Sequence, residues 1–141
     1  MSKGLYKQFA SDKQVEKDGV WLEYGMNSHD QPIRIRVARA GGGNVRYTKA
    51  FEVHSKPFRR LIQTGNMDDE SSRRMMTKVY VDAVIRDWEG VEDRDGNPLE
   101  FSRENVEQVL TDLPDLFADI IQQSQNSQLY REEILEADAG N

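Results

Sequence analysis

The sequence predicts an α+β fold, mainly α, in which an N-terminal β-hairpin packs on a small helical bundle. Between residues 20 and 40 apolar and polar side chains alternate, which is typical of half-buried antiparallel strands. From about residue 44 to residue 122 the apolar side chains instead recur at helical spacing, and residues that start or stop helices interrupt them. Strands therefore precede helices along the chain.

The hairpin is predicted over residues 20–40. VWLEYG and IRIRVARA both alternate, and NSHDQP between them has the composition of a turn. Three glycines, Gly41–Gly43, end the second strand, and no P-loop or dinucleotide fingerprint surrounds them. We therefore expect these glycines to be a flexible connector.

The first helical region begins after this connector. Asn44 is a suitable N-cap, and apolar residues follow at helical spacing. Pro57 either kinks this helix or starts a new one. Phe58 and the apolar residues after it continue the stripe to Gly65, which suits the position just past a helix end.

Three more helices are expected toward the acidic half of the chain. Asp68 or Asp69 caps a long helix that we predict to continue as far as Trp88. Ser102 is the predicted N-cap of the next helix, and Pro114 is placed to open the first turn of another.

The length of 141 residues predicts one domain. We expect a flexible N-terminus at residues 1–13, a globular domain at residues 14–126, and a C-terminal helix and tail at residues 127–141. Residues 1–20 have no apolar segment of the kind found in signal peptides, and no apolar run is long enough to cross a bilayer. The absence of cysteine fits a reducing compartment.

Charge is distributed unevenly along the chain, whose formal net charge is −6. Residues 31–65 carry a net +7, and residues 89–141 carry a net −11. A basic third can bind nucleic acid, and a basic third combined with an acidic third can equally favour self-association.

The stretch VEDRDGNPLEF, residues 91–101, contains enough carboxylates around one glycine to suggest a calcium loop. With Gly96 at the sixth position of an EF-hand loop, only Asp93 and Asp95 fall where ligands are needed. The twelfth position is Ser102, which cannot supply the required bidentate carboxylate. We therefore predict a tight turn between two aromatic anchors and no metal site.

Catalysis is not expected, because the chain has no cysteine and only two isolated histidines. No cofactor is expected either. A nucleic-acid-binding regulator is an alternative, since arginines of the second strand are followed by aromatic residues interleaved with cations. The overall acidity of the chain argues against this alternative.

A broader pattern runs through GVWLEYG, RIRVARAGGGN, PFRRLIQTGNMD and WEGVEDRDGNPLEFSRENVEQVLTDLPDLFADI. From about residue 20 onward the chain resembles the tail assembly chaperones of bacteriophages with long, non-contractile tails. The WEGV and Asp-Gly turns and the segment LPDLF carry most of this resemblance.

This resemblance implies a mainly helical, non-catalytic protein that binds and solubilises the tape measure protein and helps recruit tail tube subunits. It implies action in the cytoplasm of the infected bacterium and absence from the mature virion. It also implies a longer, frameshift-extended form as a partner, of which this chain would be the short form. The alternative from another class is a structural tail or head–tail connector protein that stays in the virion.

Three groups of residues are candidates for contacts with partners. The candidate apolar surface for the tape measure, for which core packing is the alternative, comprises Met75, Met76, Leu116, Phe117, Ile120 and Ile121. The candidate basic region for homo-oligomer formation comprises Arg34, Arg36, Arg39, Arg46, Arg59 and Arg60. Its candidate acidic counterpart comprises Glu132, Glu133 and Glu136. Head-to-tail contact between these charges would build rings or open helical arrays.

Overall fold

A small antiparallel sheet covered by helices makes up residues 3–132, the part of the chain that the computed structural model describes. The strands are β1 (Val20–Met26), β2 (Pro32–Val37) and β3 (Ile85–Glu89). The helices are α1 (Leu5–Phe9), α2 (Lys13–Asp18), α3 (Val45–Ser55), α4 (Arg59–Gln63), α5 (Asp69–Ala83), α6 (Arg103–Asp112) and α7 (Pro114–Ser124). The α+β, mainly α prediction is confirmed. Within these residues no helix has both the length and the apolarity needed to cross a membrane.

The predicted hairpin forms from β1 and β2. Their antiparallel register pairs Val20 with Val37 and Glu23 with Arg34. The turn between them is held by Asn27, whose Oδ1 accepts hydrogen bonds from two backbone N–H groups further along the turn. Alternation then puts one face of the hairpin against the helices, as the sequence predicted.

A third strand corrects the prediction of one long helix ending near Trp88. Asp68 does cap α5, but α5 ends at Ala83 and β3 then pairs with β2. Without β3, the outer edge of β2 would leave backbone groups unpaired beside the buried Ile35. Pairing satisfies them and sets Ile35 opposite Trp88 at the centre of the sheet. The need for this pairing arises in β2, about fifty residues earlier in the chain, so helical periodicity alone could not reveal that β3 forms.

The core lies between the sheet and helices α5, α6 and α7. Tyr80 and Phe117 meet edge to face, with ring centroids 5.2 Å apart. The Tyr80 hydroxyl is hydrogen-bonded to Ser124, and the buried Tyr130 donates its hydroxyl to the Val37 carbonyl. The buried core cluster comprises Ile35, Val37, Tyr80, Val84, Ile85, Trp88, Val106, Val109, Leu110, Phe117 and Ile120.

The glycine run is not the flexible connector that the sequence suggested. Glu16 of α2 is only 1% exposed, and its carboxylate accepts a hydrogen bond from Arg39 Nη1 at 2.5 Å. Gly42, with φ +54°, lies directly over this carboxylate, and a Cβ there would overlap Glu16 Oε2. The run therefore closes a buried ion pair, which a bulkier loop could not cover.

The two ends of the described chain are tied together. Ser11 and Arg131 form an isolated antiparallel bridge, and the Asp12 N–H donates to the Tyr130 carbonyl. The expected C-terminal helix is a 3-10 turn at Ser127–Tyr130 in its described part, and residues 133–141 lie outside the described residues. The boundaries proposed for the flexible end and the globular domain remain predictions.

Candidate functional site

The structure places the predicted apolar surface largely inside the protein. Met75, Phe117 and Ile120 are buried, so in this chain they contribute to the core and do not form an exposed face. Met76, Leu116 and Ile121 are half-buried and pack against the same core. The core alternative therefore describes all six residues better than the surface interpretation.

The predicted basic region does not form one continuous surface. Arg39 is committed to the buried Glu16. Arg34 is hydrogen-bonded to Glu89, and its guanidinium lies 4.7 Å from the centre of the Trp21 ring. Arg36 lies over the same ring at 5.7 Å. These strand arginines are held by intramolecular contacts, which reduces what they can offer to a second molecule.

The other three predicted arginines lie on a helical arm, which we define as residues 45–63 and call the α3–α4 arm. Arg46, Arg59 and Arg60 are exposed there and form no ion pair with another described residue. The arm also carries Lys49 and Lys56, both exposed. The basic character predicted from the sequence is therefore concentrated on this arm.

The arm owes its shape to residues at its start, middle and end. Asn44 stands at the N-cap position as predicted, but its buried side chain donates to the carbonyls of Arg39 and Ala83 and does not cap the helix. Pro57 lies in a 3-10 turn, Lys56–Phe58, that separates α3 from α4. Gly65 follows α4 with φ +71°, a conformation that glycine adopts at little cost.

A histidine fixes the far end of α3 to the body of the protein. His54 Nε2 lies 2.5 Å from Asp82 Oδ2, and Arg103 of α6 is bound to the same carboxylate. Burial lowers the pKa of His54, and the positive charges of Arg103 and Lys78 act in the same direction. These contacts thus fix the C-terminal end of α3, from which the rest of the arm continues.

Large apolar side chains are unusually exposed on the arm. Phe51 and Val53 of α3 are 39% and 65% exposed, and Leu61 and Ile62 of α4 are 42% and 43% exposed. The sequence predicted these residues as one apolar stripe at helical spacing. In the structure α4 packs mainly on the short turn before it, so its apolar face lacks a large buried contact.

Helix α1 is a second exposed apolar element. Leu5, Tyr6 and Phe9 all face solvent, and none of the residues of α1 is buried. The Arg131 guanidinium lies 4.9 Å from the Phe9 ring and holds this helix against the C-terminal part of the described chain. A five-residue helix is too short to be stable without such contacts.

On α6 and the loop before it lies a groove that the sequence did not predict. We call it the acidic groove, and its volume is about 480 Å³. It is lined by Glu92, Asp93, Arg94, Asp95, Leu99, Asn105, Gln108, Val109, Asp112 and Leu113. Leu113 is 48% exposed, so the floor of the groove is partly apolar. The loop and the helix are consecutive in sequence, but the groove depends on how the loop folds back on the helix, which no periodicity of the sequence reveals.

The loop of the groove is the stretch that looked like a calcium site, and it is a turn as predicted. Asp93 Oδ1 accepts hydrogen bonds from the N–H groups of Asp95 and Asn97, so this carboxylate organises the turn. Glu92 accepts from the Ser28 hydroxyl, and the Ser28 hydrogen bonds lower its pKa. Among residues 3–132 no three acidic or histidine side chains are grouped so as to hold a metal ion.

The predicted acidic counterpart is located only in part. Glu132 is exposed, and its N–H donates to the Ala10 carbonyl. Glu133 and Glu136 lie outside the described residues. The acidic groove thus contains the best-defined cluster of carboxylates that could meet a basic surface.

One comparison with known proteins identifies a family. A family model described as YdaY prophage protein matches residues 42–141, which is more than half of the chain. The matched part begins within the glycine run and includes the α3–α4 arm and the acidic groove, whereas the hairpin and α1 precede it. No curated protein and no solved structure matches the chain.

Proposed function

The chain belongs to the YdaY prophage protein family, and from this premise we propose that it is a tail assembly chaperone of the phage. It binds the tape measure protein, keeps it soluble and helps bring tail tube subunits to it, without making or breaking a covalent bond. It works in the cytoplasm of the infected bacterium, together with a frameshift-extended form of itself, and is absent from the finished virion. The phage origin follows from the family.

The observation that carries this proposal is the location of the exposed apolar side chains. Of the twelve large apolar residues that are exposed in residues 3–132, eight lie on α1, α3 and α4. Concentration of apolar surface on a few exposed helices is typical of sites that bind another protein. The α3–α4 arm also lies within the part of the chain that matches the family.

The physical properties of the arm suit a client with long apolar helix faces. Covering the exposed part of a side chain such as Phe51 or Val53 stabilises a complex by about 1 kcal/mol. A single arm would therefore bind weakly and reversibly. Many copies along one client would add their contributions through a high effective concentration, so the client is covered tightly yet can be released one copy at a time.

Co-expression with the tape measure protein of the same prophage tests the proposal. The wild-type chain is expected to move the tape measure from the pellet to the supernatant, and Phe51→Ser/Val53→Ser is expected to abolish this effect. Met26→Ser is the matched control for the single variant Val53→Ser. Val53 and Met26 are 65% and 66% exposed, but they lie on different elements. An equal loss with Met26→Ser would show that the arm is not the binding surface.

The same proposal predicts where the protein ends up. Mass spectrometry of purified virions should detect the tail tube and tape measure proteins but no peptides of this chain. Stoichiometric amounts of the chain in virions would instead favour the structural tail or connector protein.

A further inference from the structure

We propose that copies of this chain associate head to tail, with the tip of the α3–α4 arm of one copy seated in the acidic groove of the next. The tip is defined as residues 56–63. This inference rests on the proposed function only in one respect, that many copies are needed to cover one client. It adds that the partner is a second copy of the chain and names the two surfaces that meet.

The tip combines cations with apolar side chains. Lys56, Arg59 and Arg60 give it a charge of +3, and residues 56–63 contain no acidic residue. Leu61 and Ile62 stand exposed between these cations and the end of α4. A helix end of this kind can insert aliphatic groups while its cations remain at the rim of the contact.

The groove has the complementary composition. Four of its lining residues are acidic, Glu92, Asp93, Asp95 and Asp112, and Arg94 is the one cation among the lining residues. The net charge of the lining is therefore −3, opposite and equal to that of the tip. Leu99, Val109 and Leu113 provide apolar groups for the aliphatic side chains of the tip. Its volume of about 480 Å³ lies within the range of sites that take up a compact ligand.

The second copy is the occupant that these observations favour. Like charges brought together at an interface cost several kcal/mol, so a −3 groove selects a basic partner. Every copy of the chain carries such a basic surface at its tip. Tips and grooves are therefore always present at the same concentration. Because tip and groove are different surfaces, the contact is heterologous and propagates into a ring or an open helical array.

The contact between copies uses Leu61 and Ile62 of α4 and leaves the exposed apolar side chains of α3 to the client. The tip is residues 56–63, and the groove is formed by α6 and the loop before it. Phe51 and Val53 lie on α3, outside both surfaces. An array linked through tip and groove would therefore still present α3 of every copy. This arrangement would provide the repeated weak sites that covering a long helical protein requires.

Sedimentation velocity of the full chain, without any tape measure, tests the inference. Arg59→Glu/Arg60→Glu reverses the charge of the tip, and Asp95→Asn/Asp112→Asn removes two of the four carboxylates of the groove while leaving the turn carboxylate of Asp93 in place. Each double variant is expected to weaken self-association about a hundredfold. The wild-type oligomer should also dissociate as salt is raised, because exposed charge pairs are screened.

Mixing the two double variants gives the decisive readout. The tip variant retains a wild-type groove and the groove variant retains a wild-type tip, so together they should form a 1:1 complex and nothing larger. A different pair of surfaces would give either no complex or unchanged oligomers in the mixture. Lys3→Glu/Lys7→Glu, which reverses two exposed charges near α1, is the matched control and should associate like wild type.

Three results would overturn the inference: wild-type association by either double variant, a monomeric wild type at all concentrations tested, or no 1:1 complex in the mixture. Circular dichroism of each variant confirms that the exposed substitutions leave the fold intact. Failure here would leave client solubilisation to be judged separately through Phe51 and Val53. Failure of that assay with an intact 1:1 complex would reject the proposed function and keep the association.

Discussion

Phe117→Ala distinguishes a core side chain from a partner-binding one. Phe117 is 3% exposed and packs edge to face on Tyr80 at 5.2 Å between ring centroids. Truncating a buried phenylalanine removes its transfer free energy and leaves a cavity, at a cost of about 3–5 kcal/mol. A domain of this size has a free energy of unfolding of about 5–15 kcal/mol. The variant should therefore lose about a fifth or more of its stability.

Urea unfolding followed by far-ultraviolet circular dichroism measures this loss. The matched control is Phe51→Ala, because Phe51 is the same residue type but 39% exposed on the arm. Because part of its surface is covered, it should lower the free energy of unfolding by about 1–2 kcal/mol, yet weaken binding of the tape measure. A cost below about 1 kcal/mol for Phe117→Ala, or a cost for Phe51→Ala as large as 3 kcal/mol, would refute the assignment of core and surface.

Three further predictions concern contacts that hold the fold together. Gly90→Ala should destabilise the protein far more than Gly65→Ala. Both glycines have φ near +70°, but only at position 90 would a Cβ overlap a backbone carbonyl of β2. The urea unfolding midpoints of the two variants measure the difference, and equal losses of stability would contradict the packing argument. Arg39→Ala should cost about 3–5 kcal/mol because it leaves the buried Glu16 carboxylate without its ionic partner and with only the Ser11 hydroxyl bonded to it. Arg34→Ala, from a more exposed pair, should cost at most about 1 kcal/mol. Burial raises the pKa of Tyr80 to about 12, so the unfolded chain loses this proton from about pH 10 and the folded chain retains it. Stability should therefore fall above pH 10, by about 2.3 kcal/mol at pH 12 and by about 2.7 kcal/mol at still higher pH for this group, and Tyr80→Phe should show a smaller alkaline loss in pH-dependent unfolding.

Features with a local cause could be predicted from the sequence. Ser102 caps α6 through its hydroxyl, and Pro114 opens α7, as their residue types require. The tight turn around Gly96 follows from the preference of the Asp-Gly pair for turns. In each case the physical reason lies within a few residues of the feature itself.

Features with a distant cause could not be predicted in this way. β3 forms because β2 needs a partner on its second edge, and Val84 and Ile85 accept either helix or strand geometry. Leu61 and Ile62 have the spacing of core residues, but α4 packs mainly on the short turn before it and leaves them exposed. Spacing specifies that residues share a face, and the tertiary structure decides whether that face is covered.

The candidate site shows the same division. The basic character of residues 31–65 was visible in the sequence, whereas the division into arginines held by Glu16 and Glu89 and arginines exposed on the arm was not. The acidic groove is formed by a loop and the helix that follows it, and their relative orientation is set only in the folded chain. Net charge thus indicated a basic region, and burial and pairing show which of its arginines are exposed and free of ion pairs among the described residues.

Hydrogen exchange of the purified protein, alone and in the presence of the tape measure protein, tests the central claim most directly. The account predicts a complex in which amides of α3, residues 45–55, exchange more slowly, with the core helices unchanged. A complex that leaves exchange across residues 45–63 as it is in the free protein, or no complex at all, would contradict it.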